Sequence, residues 1–343
     1  MKQLVVNRED LRHNINKIKE YTKKISNNSN YTIIAVVKGN GYGLGLVQYS
    51  EFLRDNEINY FAVATLEEAL ELRKANIVEN ILMLSPLYNK QELEEAVKNN
   101  ITVTIDSKEN VTILNEIAKN GYNIKVHIKV DTGFGRYGFL YNDIDAILQT
   151  IQSLDSKIEV EGIFSHFSNS YYKKNKHTIE QFNRFKNVLD VLEQNNISIN
   201  LKHICNSPAI LNFPEMCLNS ARLGSAFVGR VASENNIGLK KIGTIETEVA
   251  EVRTVPKGFN ISYLNAYKTK KETKIAVLPI GVADGFNVSG RQDMFRTIDK
   301  LRRIVRETKN LFKKQKLTVV IKENRYDVIG TLRNVPYYCR YYR

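Results

Sequence analysis

An α/β fold, a (β/α)8 TIM barrel followed by a β-rich C-terminal domain, is what this sequence predicts. Three observations predict it. Short β-branched runs recur eight times between Thr32 and Leu223. Most gaps between them carry apolar residues at helical spacing. Past about Lys240 strand signals continue without helices between them.

The elements follow in order. Asn7 can cap a first helix, with Asp10 three residues on and Leu11, Ile15 and Ile18 on one face. Strand signals lie at Thr32–Val37, Tyr60–Ala64, Ile81–Leu84, Ile101–Ile105, Ile124–Val130, Ile158–Phe164, Leu201–Cys205 and Ala221–Leu223. Helical patterns occupy Leu66–Ala75, Glu92–Lys98, Val111–Lys119 and Ile179–Leu192. An open doubly wound sheet is the alternative, but no glycine-rich dinucleotide fingerprint follows the first strand. The barrel is expected over residues 8–240. The β-rich domain is expected over 241–343 together with 1–7. It has strands at Thr244–Val255, Lys274–Ile280 and Leu317–Lys322, a turn at Pro256-Lys257-Gly258 and one helix near Asp293–Phe312.

A chain of 343 residues suits a barrel plus a second domain. The net charge of +13 raises the question of nucleic acid. The lysines are spread along the chain among Glu and Asp, which argues against it. No apolar run approaches the ~18–20 residues a bilayer needs, so no membrane partner is expected. The start, Met-Lys-Gln-Leu-Val-Val-Asn, lacks a signal peptide's apolar core. Cys205, Cys217 and Cys339 have no metal-ligand spacing and make no disulfide framework. No metal is expected, and the cytoplasm is the simple location.

Barrel enzymes carry their chemistry where strands end. Lys38 closes the first strand and faces a loop with glycines at 39, 41, 43 and 45. A lysine there is expected to be partly desolvated and suited to Schiff-base chemistry. An edge lysine before a turn is the competing reading. Lys129 lies late in strand five, before Asp131-Thr132-Gly133-Phe134-Gly135-Arg136. His166 closes strand six, Asn206 and Ser207 follow strand seven, and Arg222 in strand eight precedes Gly224 and Ser225. Each has a duller reading: a core histidine, a helix cap, a plain turn. Backbone N–H groups and a helix N-terminus after strands seven and eight would suit a phosphate. A lysine able to bind an aldehyde beside a phosphate site points to pyridoxal 5′-phosphate.

These residues resemble the alanine racemase family, pyridoxal-phosphate enzymes of fold type III, from about residue 3 to about 332. The segments that carry the resemblance are Ala35–Gly43, Lys129–Phe139, His166, His203–Ser207, Ala221–Gly224, Ile261–Tyr263 and Leu278–Phe286. The resemblance implies an isomerase (EC 5.1.1.1) that interconverts L- and D-alanine, a peptidoglycan precursor, by a two-base mechanism. It implies a homodimer with shared active sites. Lys38 would carry the cofactor and act as one base. Tyr263 of the second copy would be the other, oriented by His166. Arg222 would meet the pyridine nitrogen. Arg136 would contact the cofactor's phenolic oxygen and the substrate, and Lys129, often carbamylated in the family, would hold Arg136. Tyr42, Asn206, Ser207, Gly224 and Ser225 would surround the phosphate.

Three departures stand out. Val282 replaces a tyrosine common in the family. The Asp293–Phe312 helix is longer than usual. The tail from Arg333 to Arg343 does not resemble the family's continuation. One back-translation of that tail, read one base later, gives G-M-Y-H-T-I-V-D-I-T, which does resemble it. A frameshift after Leu332 and an incomplete second domain are therefore expected. Serine racemisation, a related decarboxylase, and a truncated cofactor-binding protein with little turnover are the competing functions.

Overall fold

In the computed structural model the described residues are 1–26, 31–173, 175–233, 235, 237–281, 284–286, 317–330 and 337–340, with isolated positions between 297 and 308. The chain forms two compact units, Val6–Ile242 and Met1–Val5 with Gly243–Arg343.

The chain opens with β1 (Lys2–Val6) and α1 (Arg8–Ser26). Asn7 does cap α1: its Oδ1 accepts the N–H groups of Glu9 and Asp10 at 2.9 and 3.1 Å. The larger unit then runs through β2 (Thr32–Val36), α2 (Lys38–Tyr42), α3 (Leu46–Arg54), β3 (Tyr60–Val63), α4 (Leu66–Lys74), β4 (Asn80–Met83), α5 (Lys90–Lys98) and β5 (Val103–Ile105). It continues with α6 (Lys108–Ala118), β6 (Ile124–Asp131), β7 (Phe139–Leu140), α7 (Ile144–Gln152), β8 (Ile158–Phe164), α8 (Lys176–Gln194), β9 (Leu201–His203), α9 (Ser207–Asn212) and β10 (Ser220–Leu223).

Among the described residues, eight parallel strands pair in the order β4-β3-β2-β10-β9-β8-β6-β5. The ring closes between β4 and β5, where Thr102 N–H donates to Ile81 O and Met83 N–H to Thr102 O, at 2.9 and 2.8 Å. All eight predicted strands are present, so the barrel expectation holds.

The main core lies between strands and helices. Phe61, Ile81, Val103 and Ile128 of the strands meet Ile15, Leu72, Leu114 and Phe185 of the helices, all fully buried. Each such side chain contributes about 1.5–3 kcal/mol. Inside the barrel the apolar filling is small: Ile34, Val36, Ala62 and Leu82, with Tyr60. Barrel interiors are usually packed with branched aliphatics. Much of this one is polar instead, with Lys129, His127, His203, Glu161 and Arg222 all buried.

In the smaller unit β1 pairs with β11 (Gly243–Thr247). β12 (Glu251–Val255), β13 (Asn260–Ile261), β14 (Tyr267–Lys268), β15 (Thr273–Leu278), β16 (Thr318–Ile321), β17 (Asn324–Gly330) and β18 (Tyr337–Arg340) follow. A five-stranded sheet has the order β12-β15-β18-β17-β16. The single strand expected over Thr244–Val255 is two strands, because the chain changes partner: β11 pairs with β1 and β12 with β15. The tail, expected to leave the domain incomplete, supplies β18, which pairs with both β15 and β17. Val282 and the helix expected near Asp293–Phe312 lie outside the described residues, apart from isolated positions in the latter.

Candidate active site

A cavity of about 550 Å³ opens at the C-terminal ends of the barrel strands. Ten of the eleven residues singled out in the sequence line it: Lys38, Tyr42, Lys129, Arg136, His166, Asn206, Ser207, Arg222, Gly224 and Ser225. The eleventh, Tyr263, belongs to the smaller unit, where it is 66% exposed.

Lys38 follows β2 after Val37 and is exposed, contrary to the partial desolvation expected of it. It stands one residue past the buried run, at the start of the loop. The loop is one turn of left-handed helix. Gly39, Asn40, Gly41 and Tyr42 have φ of 66°, 54°, 61° and 58°. Consecutive left-handed residues are unfavourable for L-amino acids, and the glycines at 39 and 41 relieve half of that cost. Backbone hydrogen bonds close the turn, Gly41 N–H to Val37 O at 2.8 Å among them, and two side chains tie it down. Gly39 N–H donates to Glu68 Oε1 at 2.6 Å, and Leu46 N–H to Asn40 Oδ1 at 2.9 Å. Glu68 also closes the capping box of α4 with Thr65. One carboxylate thus ties the Lys38 turn to the next helix.

The turn brings Tyr42 against the end of β10. A Cβ placed on Gly224 would lie 2.2 Å from Tyr42 Oη. Any other residue there would require the Tyr42 ring to move. Beside it, Ser207 Oγ accepts the N–H groups of Gly224 and Ala226 at 3.1 and 3.2 Å. Its own O–H is left to donate elsewhere. Asn206 proves to be the cap of α9: its Oδ1 accepts Ala209 N–H at 3.0 Å and Ser170 Oγ–H at 2.8 Å.

The loop after β6 is organised by Asp131. Its carboxylate accepts the N–H groups of Gly133, Phe134 and Gly135 at 2.8–2.9 Å. Burial would raise its pKa, but these three donors bring it below the ordinary carboxylate value. The loop presents Arg136, whose guanidinium lies 4.5 Å from the Phe134 ring centre. Lys129 is buried, donates to Val130 O at 2.8 Å and lies over the Phe164 ring. Burial, and then the charge of Arg222, lower its pKa to about 7.

Arg222 is the centre of the site. Nη2 donates to Ser165 O at 2.7 Å and to His166 Nδ1 at 3.0 Å. Nη1 donates to His203 Nδ1 at 2.6 Å. Burial lowers its pKa to about 10, so it remains a cation at neutral pH. Burial and the neighbouring cations, Arg222 first, hold His166 neutral. Sequence reading missed the groups behind Arg222, namely His127, Glu161 and Tyr60. The signal for His127 was available, because it lies two residues before Lys129 and so on the same face of β6.

An exposed lysine at a strand end, a glycine and serine cradle, and a buried arginine opposite define a barrel enzyme built for a small anionic ligand. Family comparison narrows this. Residues 6–231 match the model for the alanine racemase N-terminal domain, and 242–332 that for the C-terminal domain. An alanine racemase of Methanococcus maripaludis is 40% identical over 283 residues, covering 80% of this chain and 74% of the relative. One from Clostridium perfringens is 41% identical over 264 residues, covering 74% and 67%. The solved alanine racemase of Clostridium difficile 630 superposes with a TM-score of 0.81 at 29% identity, over 100% of this chain and 83% of that one. The chain belongs to the alanine racemase family.

Proposed function

We propose that this chain interconverts L- and D-alanine with pyridoxal 5′-phosphate as cofactor, in a homodimer whose second copy supplies Tyr263. The observation that carries the reading is Arg222, held as a cation between two imidazole acceptors at the floor of the cavity. The residues present fit the cofactor. Gly224 leaves room where any Cβ would strike Tyr42, and Ser207 and Tyr42 offer hydroxyls beside it for the phosphate. Lys38 stands where it can hold the aldehyde carbon. When bound, the cofactor supplies an electron sink for the carbanion formed at the substrate's α-carbon.

The chain's own groups do the rest. Arg222 keeps its proton, so it gives a ring nitrogen a hydrogen bond and not a proton. Arg222 in this role would limit how far the cofactor draws electrons, and with it side reactions. Lys38 and Tyr263 act from opposite faces, one removing the α-proton and the other delivering one. A tyrosine with a pKa near ~10 needs help as a base. The neutral His166, its Nδ1 occupied by Arg222, has Nε2 to turn toward it. Arg136 serves the cofactor's phenolic oxygen and the substrate carboxylate. Lys129, partly neutral at pH 7, meets the requirement for carbamylation, and a carbamate there would hold Arg136. Asn206 supports the phosphate cradle as the cap of α9.

No helix among the described residues is long and apolar enough to cross a membrane. We place the reaction in the cytoplasm, where this precursor of the cell wall is needed. The test is an absorbance scan with pyridoxal phosphate, then L-alanine with a D-alanine readout. A band near ~420 nm that Lys38→Ala abolishes, with D-alanine appearing, supports the reading. No band, or a band without D-alanine, overturns it.

A further inference from the structure

A hydrogen-bonded chain of buried side chains runs from Arg222 through the barrel to its opposite end. A guanidinium can only donate, so His203 Nδ1 accepts from it. The proton of His203 must then sit on Nε2, which lies 2.9 Å from His127 Nδ1. That makes His127 Nδ1 an acceptor and puts its proton on Nε2. His127 Nε2 faces Glu161 Oε2 at 3.2 Å and Tyr60 Oη at 3.1 Å. Glu161 ends the chain as an acceptor of everything around it. It takes Tyr60 Oη–H at 2.5 Å on Oε2 and Lys125 Nζ at 2.9 Å on Oε1. A donor-only group stands at one end and an acceptor-only group at the other. Every proton between them is assigned.

Three features show that the backbone is shaped for this chain. The β6–β8 register jumps from Val126↔Val160 to His127↔Gly162, leaving Glu161 as the extra residue of a bulge. Alternation with Gly162 and the inward-facing Phe164 would send Glu161 toward the helices; the bulge turns it inward. Gly162 has no side chain where the His127 ring lies: a Cβ there would be 2.5 Å from Cε1. Phe164 stacks on His203 with centroids 5.0 Å apart and planes 2° apart, walling the pair from the rest of the interior. Both imidazoles are fully buried.

We infer that Glu161 and His127 are positioning residues for Arg222: through His203 they fix which ring nitrogens carry protons, so the guanidinium always meets an acceptor. If His203 took the other tautomer, an N–H would point at the guanidinium from 2.6 Å, and Arg222 would be pushed off its place in the cavity. Burial works against a charged Glu161, but hydrogen bonds from His127, Tyr60 and Lys125 outweigh it and keep the carboxylate ionised, with a pKa of about 2. What Arg222 does for the reaction rests on the proposed function; where its partners hold their protons does not.

The test is 15N NMR of histidine-labelled protein, assigned by substitution among the five histidines, without added cofactor. Both His127 and His203 are expected as neutral Nε2–H rings. A proton on Nδ1 of either, or a cationic ring, overturns the inference whatever the enzyme's activity. Glu161→Gln loses one acceptor and offers an N–H in its place. It is expected to give mixed tautomers at both rings and to lower kcat by about 10–100-fold with little change in KM, the usual cost of disturbing a supporting shell. Lys125→Met keeps the carboxylate, and should keep the tautomers and leave kcat within about twofold, the range expected of a half-exposed pair. Unchanged tautomers in Glu161→Gln, or an equal loss in Lys125→Met, would contradict the inference. Should Glu161→Gln fail to fold, a proton on Nδ1 of either ring in the unaltered chain still overturns the inference. Absence of D-alanine with the expected tautomers would sink the proposed function and leave this inference standing.

Discussion

His166 Nδ1 lies 3.0 Å from Nη2 of Arg222, and a guanidinium has only hydrogens to offer. The imidazole must therefore present a lone pair, and it is neutral with its proton on Nε2. The same logic governs His203 on the other side of Arg222. Both rings, and His127 behind them, are held below the ordinary histidine pKa, chiefly by burial.

Acid sensitivity follows from those three rings. In the unfolded chain each takes a proton near pH ~6.5, while the folded chain resists. The unfolded state then binds more protons, so stability falls as pH drops from about 6.5 toward the lower folded values. Chemical denaturation at pH 7 and pH 5 is expected to show a clear loss at pH 5.

Lys129 gives the opposite end of the pH scale. Its folded pKa is about 7 against ~10.4 unfolded. Over that window the unfolded chain holds the extra proton, so this lysine makes stability rise with pH. Lys129→Met should flatten the rise. In buffer free of carbon dioxide it should also stabilise the protein at pH 7 by about 1–4 kcal/mol, as replacement of buried charge by apolar bulk does. On the proposed role of Lys129 in holding Arg136, activity should fall. Denaturation curves from pH 7 to 10 check the first part and turnover the second.

Gly224 and Tyr42 should be coupled. Gly224→Ala places a methyl where Tyr42 Oη lies and is expected to weaken pyridoxal-phosphate binding by about tenfold or more, near 1.4 kcal/mol. In a Tyr42→Ala background the same change is freed of that clash and should cost far less. A double-mutant cycle on cofactor affinity reads the coupling. Additive losses would mean that the two do not share one phosphate cradle.

Much of the fold was legible because buried parallel strands announce themselves. Runs such as Thr32–Val37 and Ile124–Val130 are β-branched and bounded by turn residues. Boundaries in the second domain were harder to read. Nothing local in Thr244–Val255 says that its two halves pair with different strands. Strand-end polar residues marked the site well, since the barrel gathers them at one end. The relay behind Arg222 was not legible. Glu161 faces inward only because of a bulge, and alternation alone would have placed it outside. Lys38 shows a further limit: a residue that ends a buried strand need not be buried itself.

In the proposed mechanism Lys38 of one copy works with Tyr263 of another. Mixing separately purified Lys38→Ala and Tyr263→Phe chains, each inactive alone, tests it. After subunit exchange about half the dimers are mixed, and each mixed dimer holds one intact site of two. Racemisation of L-alanine should return to roughly a quarter of the unaltered enzyme's rate. No recovery, with exchange verified by mass, would contradict a site shared between two copies.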